Sequence, residues 1–189
     1  MTTFVMKELM LNYDEAYKIQ KIYFKKYGTT MRGLMENHKI EPTYFLDYVH
    51  KIDLSPIKKN DKLLDRGLKN LPGRKIIFTN GSKKHALNVM RHLGVSQHFD
   101  EIFDILDSNY IPKPDKAVYT KMIKKFEINP KSSAMIEDMA QNLIPAHELG
   151  MKTVWLRSKL DWAMESSENG HIDYIIEDLI EWFNDIQGM

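Results

Sequence analysis

The residues with the clearest chemical potential follow a short apolar run from Arg74 to Thr79, which has the pattern of a buried strand. Thr79-Asn80-Gly81-Ser82 then leads into a helical pattern. A hydroxyl at a strand end, a glycine that permits close approach and free N–H groups that open a helix suit a phosphate oxygen. The same residues are typical of a plain turn in which Thr79 or Ser82 caps the helix. The segment indicates either a phosphate-binding loop or such a turn.

A lysine between two prolines is the second candidate. Lys113 stands between Pro112 and Pro114, whose rings restrict the backbone on both sides of the cation. A site that holds an ammonium against an anionic group needs a fixed position of this kind. A solvated loop lysine is the alternative, and the sequence leaves both open.

Two adjacent acids, Glu137 and Asp138, end another predicted strand. Both can reach a hard divalent cation such as Mg²⁺, which prefers carboxylate and water oxygens. Alternatively, Asp138 caps the next helix and Glu137 is solvated. Two acids at a buried strand end repel each other without a cation, which favours the metal site.

These three segments belong to an alternation of strands and amphipathic helices that starts at Pro72-Gly73. The predicted strands cover 74–79, 101–105, 133–137, 152–156 and, at an edge, 172–176. Strands separated by helices predict a parallel α/β sheet that is covered on both faces. Ligands bind such sheets at the carboxyl ends of the strands, where all three candidates lie.

The first 70 residues have no strand pattern. Their apolar residues recur at helical spacing near 14–27, 30–38, 42–49 and 58–71. We therefore predict a helical unit at 1–70 and an α/β core at 71–189. Within the core, Pro145 is expected to kink or shorten the helix predicted over 139–149.

The composition limits the classes of function. Lys and Arg total 27 against 26 Asp and Glu, so a broad basic surface for a nucleic-acid polymer has no support. No run approaches the roughly 20 apolar residues that span a membrane and no secretory signal pattern follows Met1, so we predict a cytoplasmic protein without a membrane partner. The lack of cysteine excludes thiolate nucleophiles and thiolate metal sites.

The order of a strand with a hydroxyl, a lysine beside proline and a strand with an acid pair resembles motifs two, three and four of the haloacid dehalogenase (HAD) superfamily. The resemblance implies a HAD-like Rossmannoid three-layer sandwich with a parallel sheet and an all-helical cap. It implies that Thr79, Asn80 and Gly81 hold phosphoryl oxygens, and that Lys113 neutralises the nucleophile and the phosphate. It also implies that the acid pair, Glu137 and Asp138, binds Mg²⁺.

The likeness narrows to the pyrimidine 5′-nucleotidase branch and runs from about residue 13 to residue 156. It is carried by residues 27–35 (YGTTMRGLM), 48–54 (YVHKIDL), 71–75 (LPGRK) and 78–82 (FTNGS). This branch implies Mg²⁺-dependent hydrolysis of small phosphate monoesters, with nucleoside 5′-monophosphates such as UMP and CMP as the expected substrates. Thr30, Arg32, His50 and Asp53 lie in or beside the matching cap segments and are candidates for substrate contact. Arg32 is alternatively a helix-surface cation and His50 a packed interior histidine.

HAD phosphatases attack phosphorus with the first aspartate of a DxDx[TV] segment at the end of their first strand, and the sequence has no such segment. Asp104 and Asp107 are three apart and follow a later strand, so we interpret them as loop carboxylates. In the resembling fold the absent strand separates the strands predicted at 74–79 and 133–137. Its loss would leave two buried sheet edges and an unstable monomer. We expect Met1 to be an internal methionine of a longer reading frame, which a stop codon immediately upstream would contradict.

Three functions compete. The leading one is a phosphatase that acts on a small phosphorylated metabolite through an aspartyl phosphate. The second is a non-catalytic phosphate-binding or interaction protein of HAD fold that has lost its nucleophile and is completed by a partner strand or as a homodimer. The third is a haloacid dehalogenase, against which the acid pair argues because that reaction needs no metal.

Overall fold

The computed structural model describes residues 1–158 and 160–187. The helices are α1 (Thr2–Leu9), α2 (Tyr13–Tyr27), α3 (Thr30–His38), α4 (Pro42–Val49), α5 (Lys62–Asn70), α6 (Lys83–Leu93), α7 (Lys116–Lys125), α8 (Ile144–Glu148) and α9 (Leu179–Gln187). The strands are β1 (Ile76–Phe78), β2 (Glu101–Phe103), β3 (Ala134–Glu137), β4 (Lys152–Leu156) and β5 (Tyr174–Ile176). None of the helices in the described ranges is long and apolar enough to cross a membrane.

Helices α1 to α4 pack together as the N-terminal cap. Helix α2 begins with a capping box, in which Asn12 accepts the N–H of Glu15 at 3.0 Å and the Glu15 carboxylate accepts the N–H of Asn12 at 3.1 Å. It ends at Gly28, whose φ of 79° is left-handed. The four helices bury a shared apolar cluster that includes Phe4 and Leu34. The predicted helix at 30–38 is confirmed.

Helix α5 packs with the part of the chain that follows it. Its Leu68 lies in one apolar cluster with Phe183 of α9. The helix begins later than predicted because Asp61 accepts the N–H groups of Leu63 and Leu64 and so fixes the N-terminus. The domain division at residue 70 stays a prediction, and α5 packs on the core side.

The strands form two parallel sheets, so the predicted parallel pairing is confirmed, and the sheets are separate at the place where the resemblance implies an absent strand. Strand β1 pairs with β2, with Ile77 opposite Ile102. The other sheet has the order β3-β4-β5, with Ile136 opposite Val154. One apolar cluster involves α7 and α8 and another involves α5, α6 and α9, which gives the three layers that the sequence predicts. The sheet is interrupted because no described strand lies between β1 and β3.

Strands β1 and β3 each have a strand neighbour on one side only, within residues 1–158 and 160–187. The sequence analysis expects these two open sheet edges, but it expects them to be buried. Ile76–Phe78 are instead half-buried, and Ile136 of β3 is 39% exposed. Solvent therefore reaches both strands, which reduces the cost of about 1–3 kcal/mol that each fully buried unpaired group would carry.

The helix predicted over 139–149 is divided in two. A 3₁₀ turn covers Ala140–Leu143, and α8 starts at Ile144 with Pro145 in its first turn. Because proline lacks an N–H, it fits only at the start of an α-helix, and the predicted shortening is confirmed. The predicted strand at 152–156 is confirmed, while the other strands are shorter than predicted.

Candidate functional site

A cleft of about 320 Å³ opens where the carboxyl ends of β1 and β3 converge. The residues that the sequence predicts for phosphate and metal binding all line it: Thr79, Asn80, Gly81, Lys113, Glu137 and Asp138. They come from three separate loops, which the parallel strands bring to the same end of the fold.

The loop after β1 is held in one conformation by its own hydrogen bonds. Thr79 extends the ladder by donating its N–H to the carbonyl of Phe103 at 3.0 Å, and its Oγ1 accepts the N–H of Gly81 at 2.9 Å. Ser82 caps α6 by accepting the N–H of His85 at 3.3 Å. The segment is therefore a turn that caps α6, as one alternative from the sequence predicts, and it also lines the cleft. The Thr79 hydroxyl accepts the bond from the Gly81 N–H, and its own proton is able to donate to a further oxygen.

The side chain of Asn80 clamps the backbone of Lys113. Its Oδ1 accepts the Lys113 N–H at 2.8 Å, and its Nδ2 donates to the Lys113 carbonyl at 3.3 Å. The sequence gives no signal for this contact, because the two residues are 33 positions apart. The clamp fixes the lysine loop against the loop after β1.

We expect Asn80→Ala to lower the free energy of unfolding by about 1–3 kcal/mol, because it leaves a partly buried N–H without its acceptor. Urea denaturation measures the change. Asn80→Asp keeps the acceptor oxygen and should recover part of the loss, while Asn169→Ala, at an exposed position, serves as the control. Equal stabilities of Asn80→Ala and the control would contradict the clamp.

Lys113 is a buried cation that joins the two sheets. Its ammonium lies 2.6 Å from Glu137 Oε2 and 2.8 Å from the carbonyl oxygen of Phe78. The side chains of Lys113 and Glu137 are only 6% and 10% exposed. The alternative of a solvated loop lysine is therefore wrong. The ion pair bridges the end of β1 and the end of β3.

The acid pair has an asymmetric environment. Asn142 donates its Nδ2–H to Glu137 Oε1 at 3.0 Å. Burial raises the pKa of Glu137, but the charge and hydrogen bond of Lys113 and the bond from Asn142 outweigh it, so this pKa lies below its usual range. Burial, reinforced by the neighbouring Glu137 carboxyl, raises the pKa of Asp138. Since the following 3₁₀ turn has no side-chain cap, the alternative in which Asp138 caps it is wrong.

This donor set fits a hard cation. Glu137 and Asp138 offer carboxylate oxygens, and the buried Oδ1 of Asn142 has no hydrogen-bond partner. Carboxylate, amide and water oxygens are what Mg²⁺ prefers, and Mg²⁺ usually keeps several waters. In the described part of the chain no group of three or more histidines and acids is arranged to hold a metal, so waters or a ligand would complete the coordination. Sequence reasoning missed Asn142, whose pattern is that of an ordinary helix residue.

The predicted cap residues have different positions. Arg32 lines a second cleft of about 360 Å³ and pairs with Glu36 at 2.8 Å. Thr30 is buried within the cap and donates to the carbonyl of Gln20 at 3.3 Å. Asp53 is exposed and lies in a loop. Neither Thr30 nor Asp53 is among the residues that line the two clefts.

His50 lies between the cap and the loop after β1. Its Nδ1 is 3.0 Å from Ser82 Oγ, and its ring stacks on that of His85. His50 is partly buried, packs on another side chain and is not among the residues that line the two clefts, so its role in substrate contact stays a prediction. The sequence did not indicate His85, whose proximity depends on the packing of α4 against α6.

The loop carboxylates after β2 have structural partners. Asp104 is 6% exposed and accepts the N–H groups of Lys83 at 2.7 Å and Leu106 at 3.0 Å. Asp107 pairs with Lys125 at 2.5 Å. The interpretation of both as loop carboxylates is confirmed, and neither is among the residues that line the cleft.

The family model described as haloacid dehalogenase-like hydrolase matches residues 5–156. The chain belongs to this family. The match spans the cap, the loop after β1, Lys113 and the acid pair, so the HAD resemblance seen in the sequence is confirmed. The pyrimidine 5′-nucleotidase branch stays a prediction.

Relatives of this HAD-like hydrolase include phosphatases. Phosphate metabolism protein 8 of Saccharomyces cerevisiae is 27% identical over 195 residues, which cover 94% of this chain and 54% of that protein. Glyceraldehyde 3-phosphate phosphatase of Pyrococcus furiosus is 25% identical over 104 residues, 54% of this chain and 43% of that one. The chain thus spans about half the length, or less, of these curated relatives. The crystal structure of a HAD phosphatase from Thermococcus onnurineus has a TM-score of 0.64 at 19% identity, over 99% of this chain and 86% of that one.

Proposed function

We propose that this HAD-like hydrolase is a Mg²⁺-dependent phosphatase of small phosphate monoesters, with nucleoside 5′-monophosphates such as UMP and CMP as substrates. The observation that carries the proposal is the meeting of a buried lysine, a hydroxyl and N–H loop and an acid pair in one cleft. Two relatives, a phosphate metabolism protein and a glyceraldehyde 3-phosphate phosphatase, support phosphate-ester chemistry.

In this proposal the phosphoryl group lies between the loop after β1 and Lys113. The Thr79 hydroxyl and the backbone N–H of Asn80 donate to its oxygens, and the Lys113 ammonium offsets their negative charge. Glu137 and Asp138 would hold Mg²⁺, which when bound neutralises charge on the phosphoryl oxygens. Burial of Lys113 and Glu137 strengthens these charge interactions relative to solvent.

The nucleophile is assigned to a strand between β1 and β3 that is not among the described residues. Glu137 is engaged by Lys113 and Asn142, and Asp138 is the remaining acid of the cleft. An aspartate on the added strand would attack phosphorus, expelling the nucleoside oxygen, and water would then hydrolyse the aspartyl phosphate. The open edges of β1 and β3 support this position for the strand.

The second cleft is suited to the leaving group. Its wall combines Tyr27 and Arg32 of the cap with Pro112 and Pro114, which flank Lys113. A ribose or base there would be next to a phosphoryl group held by Lys113. We assign Arg32 a role in substrate selection, which would require its ion pair with Glu36 to be shared with the ligand.

The test compares the 189-residue chain with a form extended upstream in the same reading frame. Both are assayed with p-nitrophenyl phosphate, UMP and CMP, in Mg²⁺ and in EDTA. We expect turnover by the extended form in Mg²⁺ alone, and UMP binding without turnover by the 189-residue chain. Metal-dependent turnover by the 189-residue chain would contradict the position assigned to the nucleophile.

A non-catalytic phosphate-binding protein of the same fold is the second candidate. The missing DxDx[TV] segment favours it. UMP binding by the extended form with no turnover under any condition would support this candidate over the phosphatase.

A further inference from the structure

A pair of histidines joins the cap to the start of α6. His50 directly follows α4, and His85 lies in the first turn of α6. Their ring centroids are 4.2 Å apart and the ring planes differ by 5°. Parallel imidazole rings this close form a flat contact between the two units, directly beside the phosphate-binding loop.

The hydrogen bonds of Ser82 fit a neutral His50 that accepts at Nδ1. Ser82 Oγ accepts the N–H of His85, which leaves its single proton free to donate to His50 Nδ1, 3.0 Å away. In this arrangement the ring proton of His50 is on Nε2. That nitrogen would lie 3.5 Å from a Cβ placed on Gly81, so it is next to the loop backbone.

An exposed ion pair also joins α4 and α6. Asp47 of α4 lies 3.0 Å from Lys84 of α6, and their side chains are 61% and 75% exposed. An exposed pair of this kind contributes little to stability. The partly buried histidine pair is therefore the stronger link between α4 and α6.

We propose that His50 is a positioning residue that fastens the cap to the phosphate-binding loop through Ser82 and His85, and that protonation of His50 releases this connection. The inference rests on the proposed phosphate-binding role of residues 79–81. A proton on Nδ1 reverses the bond to Ser82, because Nδ1–H must then donate to Ser82 Oγ, and it places a charge at a partly buried position. It also adds a positive charge against the face of the His85 ring.

Burial favours the neutral state of His50. Burial and the neighbouring His85 lower the pKa of His50 to about 4, and Asp47 acts in the opposite direction. Burial also lowers the pKa of His85. Lys84 and Lys51 are further cations that surround Asp47 in this region. Because the folded pKa of His50 is below the unfolded value of 6.5, the closed arrangement is fully favoured above about pH 6.5 and is weakened as the pH falls toward 4.

The distance between cap and core measures the connection directly. Since the chain has no cysteine, Lys18→Cys on α2 and Lys124→Cys on α7, both at exposed positions, accept fluorescent or spin labels specifically. We expect one short distance at pH 7 and a second, longer one that grows as the pH approaches 4. Far-UV circular dichroism restricts the comparison to pH values at which the helices are intact.

Variants separate the contacts of His50. His50→Phe keeps a flat ring but cannot accept the Ser82 proton, so the longer distance should be present already at pH 7. His50→Asn keeps a hydrogen-bonding group without a titrating one, so its distance should stay short and no longer depend on pH. His147→Asn, at an exposed position on α8, should behave as the unmodified chain.

Equal distances for the unmodified chain and His50→Phe at both pH values would overturn the inference. Binding of UMP at pH 7 is measured in parallel, and we expect His50→Phe to bind about tenfold more weakly, the effect of one lost hydrogen bond. The distances are measured without phosphate or metal. A chain that opens as expected but does not bind UMP would therefore contradict the proposed function and leave the role of His50 in closure intact.

Discussion

Lys113→Met should lower the free energy of unfolding by about 3–5 kcal/mol, because it leaves the buried carboxylate of Glu137 without its counter-ion. The two groups are 2.6 Å apart and at most 10% exposed, so solvent compensates only poorly for the lost ammonium. The variant also loses a donor to the Phe78 carbonyl oxygen. Urea denaturation at pH 7 gives the measurement.

The same variant should change the response to acid. In the unmodified chain the pKa of Glu137 lies below its ordinary value of 4.5, so the stability from the pair is present above about pH 4.5 and is lost as the pH falls through the folded pKa. Without Lys113, burial acts on Glu137 with less opposition and its pKa should rise. The stabilities of the two proteins should therefore converge in acid.

Two further variants serve as controls. Lys113→Met combined with Glu137→Leu removes both charges and should regain much of the stability, as expected when a buried ion pair becomes apolar. Lys116→Met breaks an exposed pair with Glu148 and should cost less than about 1 kcal/mol. If Lys113→Met and Lys116→Met had the same effect, the buried bridge between the sheets would not exist as described.

Asp138→Asn is expected to abolish the stabilisation of the folded chain by Mg²⁺. A ligand at about 100 times its Kd stabilises a protein by about 2.7 kcal/mol, and the variant should lose this increment because an amide is a weaker ligand than a carboxylate. Calorimetry and thermal unfolding with Mg²⁺ or EDTA make the comparison. Asp185→Asn, at an exposed position on α9, is the matched control.

Metal binding at this site should weaken in mild acid. Burial and the Glu137 carboxyl raise the pKa of Asp138, so protons compete with Mg²⁺ at a higher pH than at an ordinary aspartate. Asp138→Asn should not destabilise the metal-free chain, because it removes a carboxylate whose charge the fold disfavours. A Mg²⁺ response that is the same in Asp138→Asn and Asp185→Asn would contradict the metal site.

Local patterns predicted those elements whose signals lie within a few residues. Helix α3 and strand β4 have the predicted bounds, since Thr29 caps the helix and an apolar run defines the strand. The interruption between β1 and β3 depends on which strands pair with each other, and these strands are far apart in the sequence. Apolar runs do not encode which strands pair, so only the resemblance indicated the open edges. The resemblance could not indicate that solvent reaches the open edges of β1 and β3.

The site was predictable to the extent that strand ends determine it. Residues after β1 and β3 meet because parallel strands end on the same side. The contacts of Asn142 and His85 depend on how helices pack, which periodicity does not encode. Thr30 was a candidate for substrate contact because it lies in a segment that resembles the family. The segment does not determine where the side chain points, and the side chain of Thr30 lies inside the cap.

The interruption of the sheet has a consequence for folding cooperativity. In the described ranges β1–β2 and β3–β4–β5 share no ladder pairing, so their coupling depends on side-chain packing and on the Lys113 bridge. Segments coupled in this way can open separately, at a lower free energy than global unfolding. The cleft lies across this seam, with Thr79 on one side and Glu137 on the other. A phosphate held from both sides would make the two halves unfold as one cooperative unit.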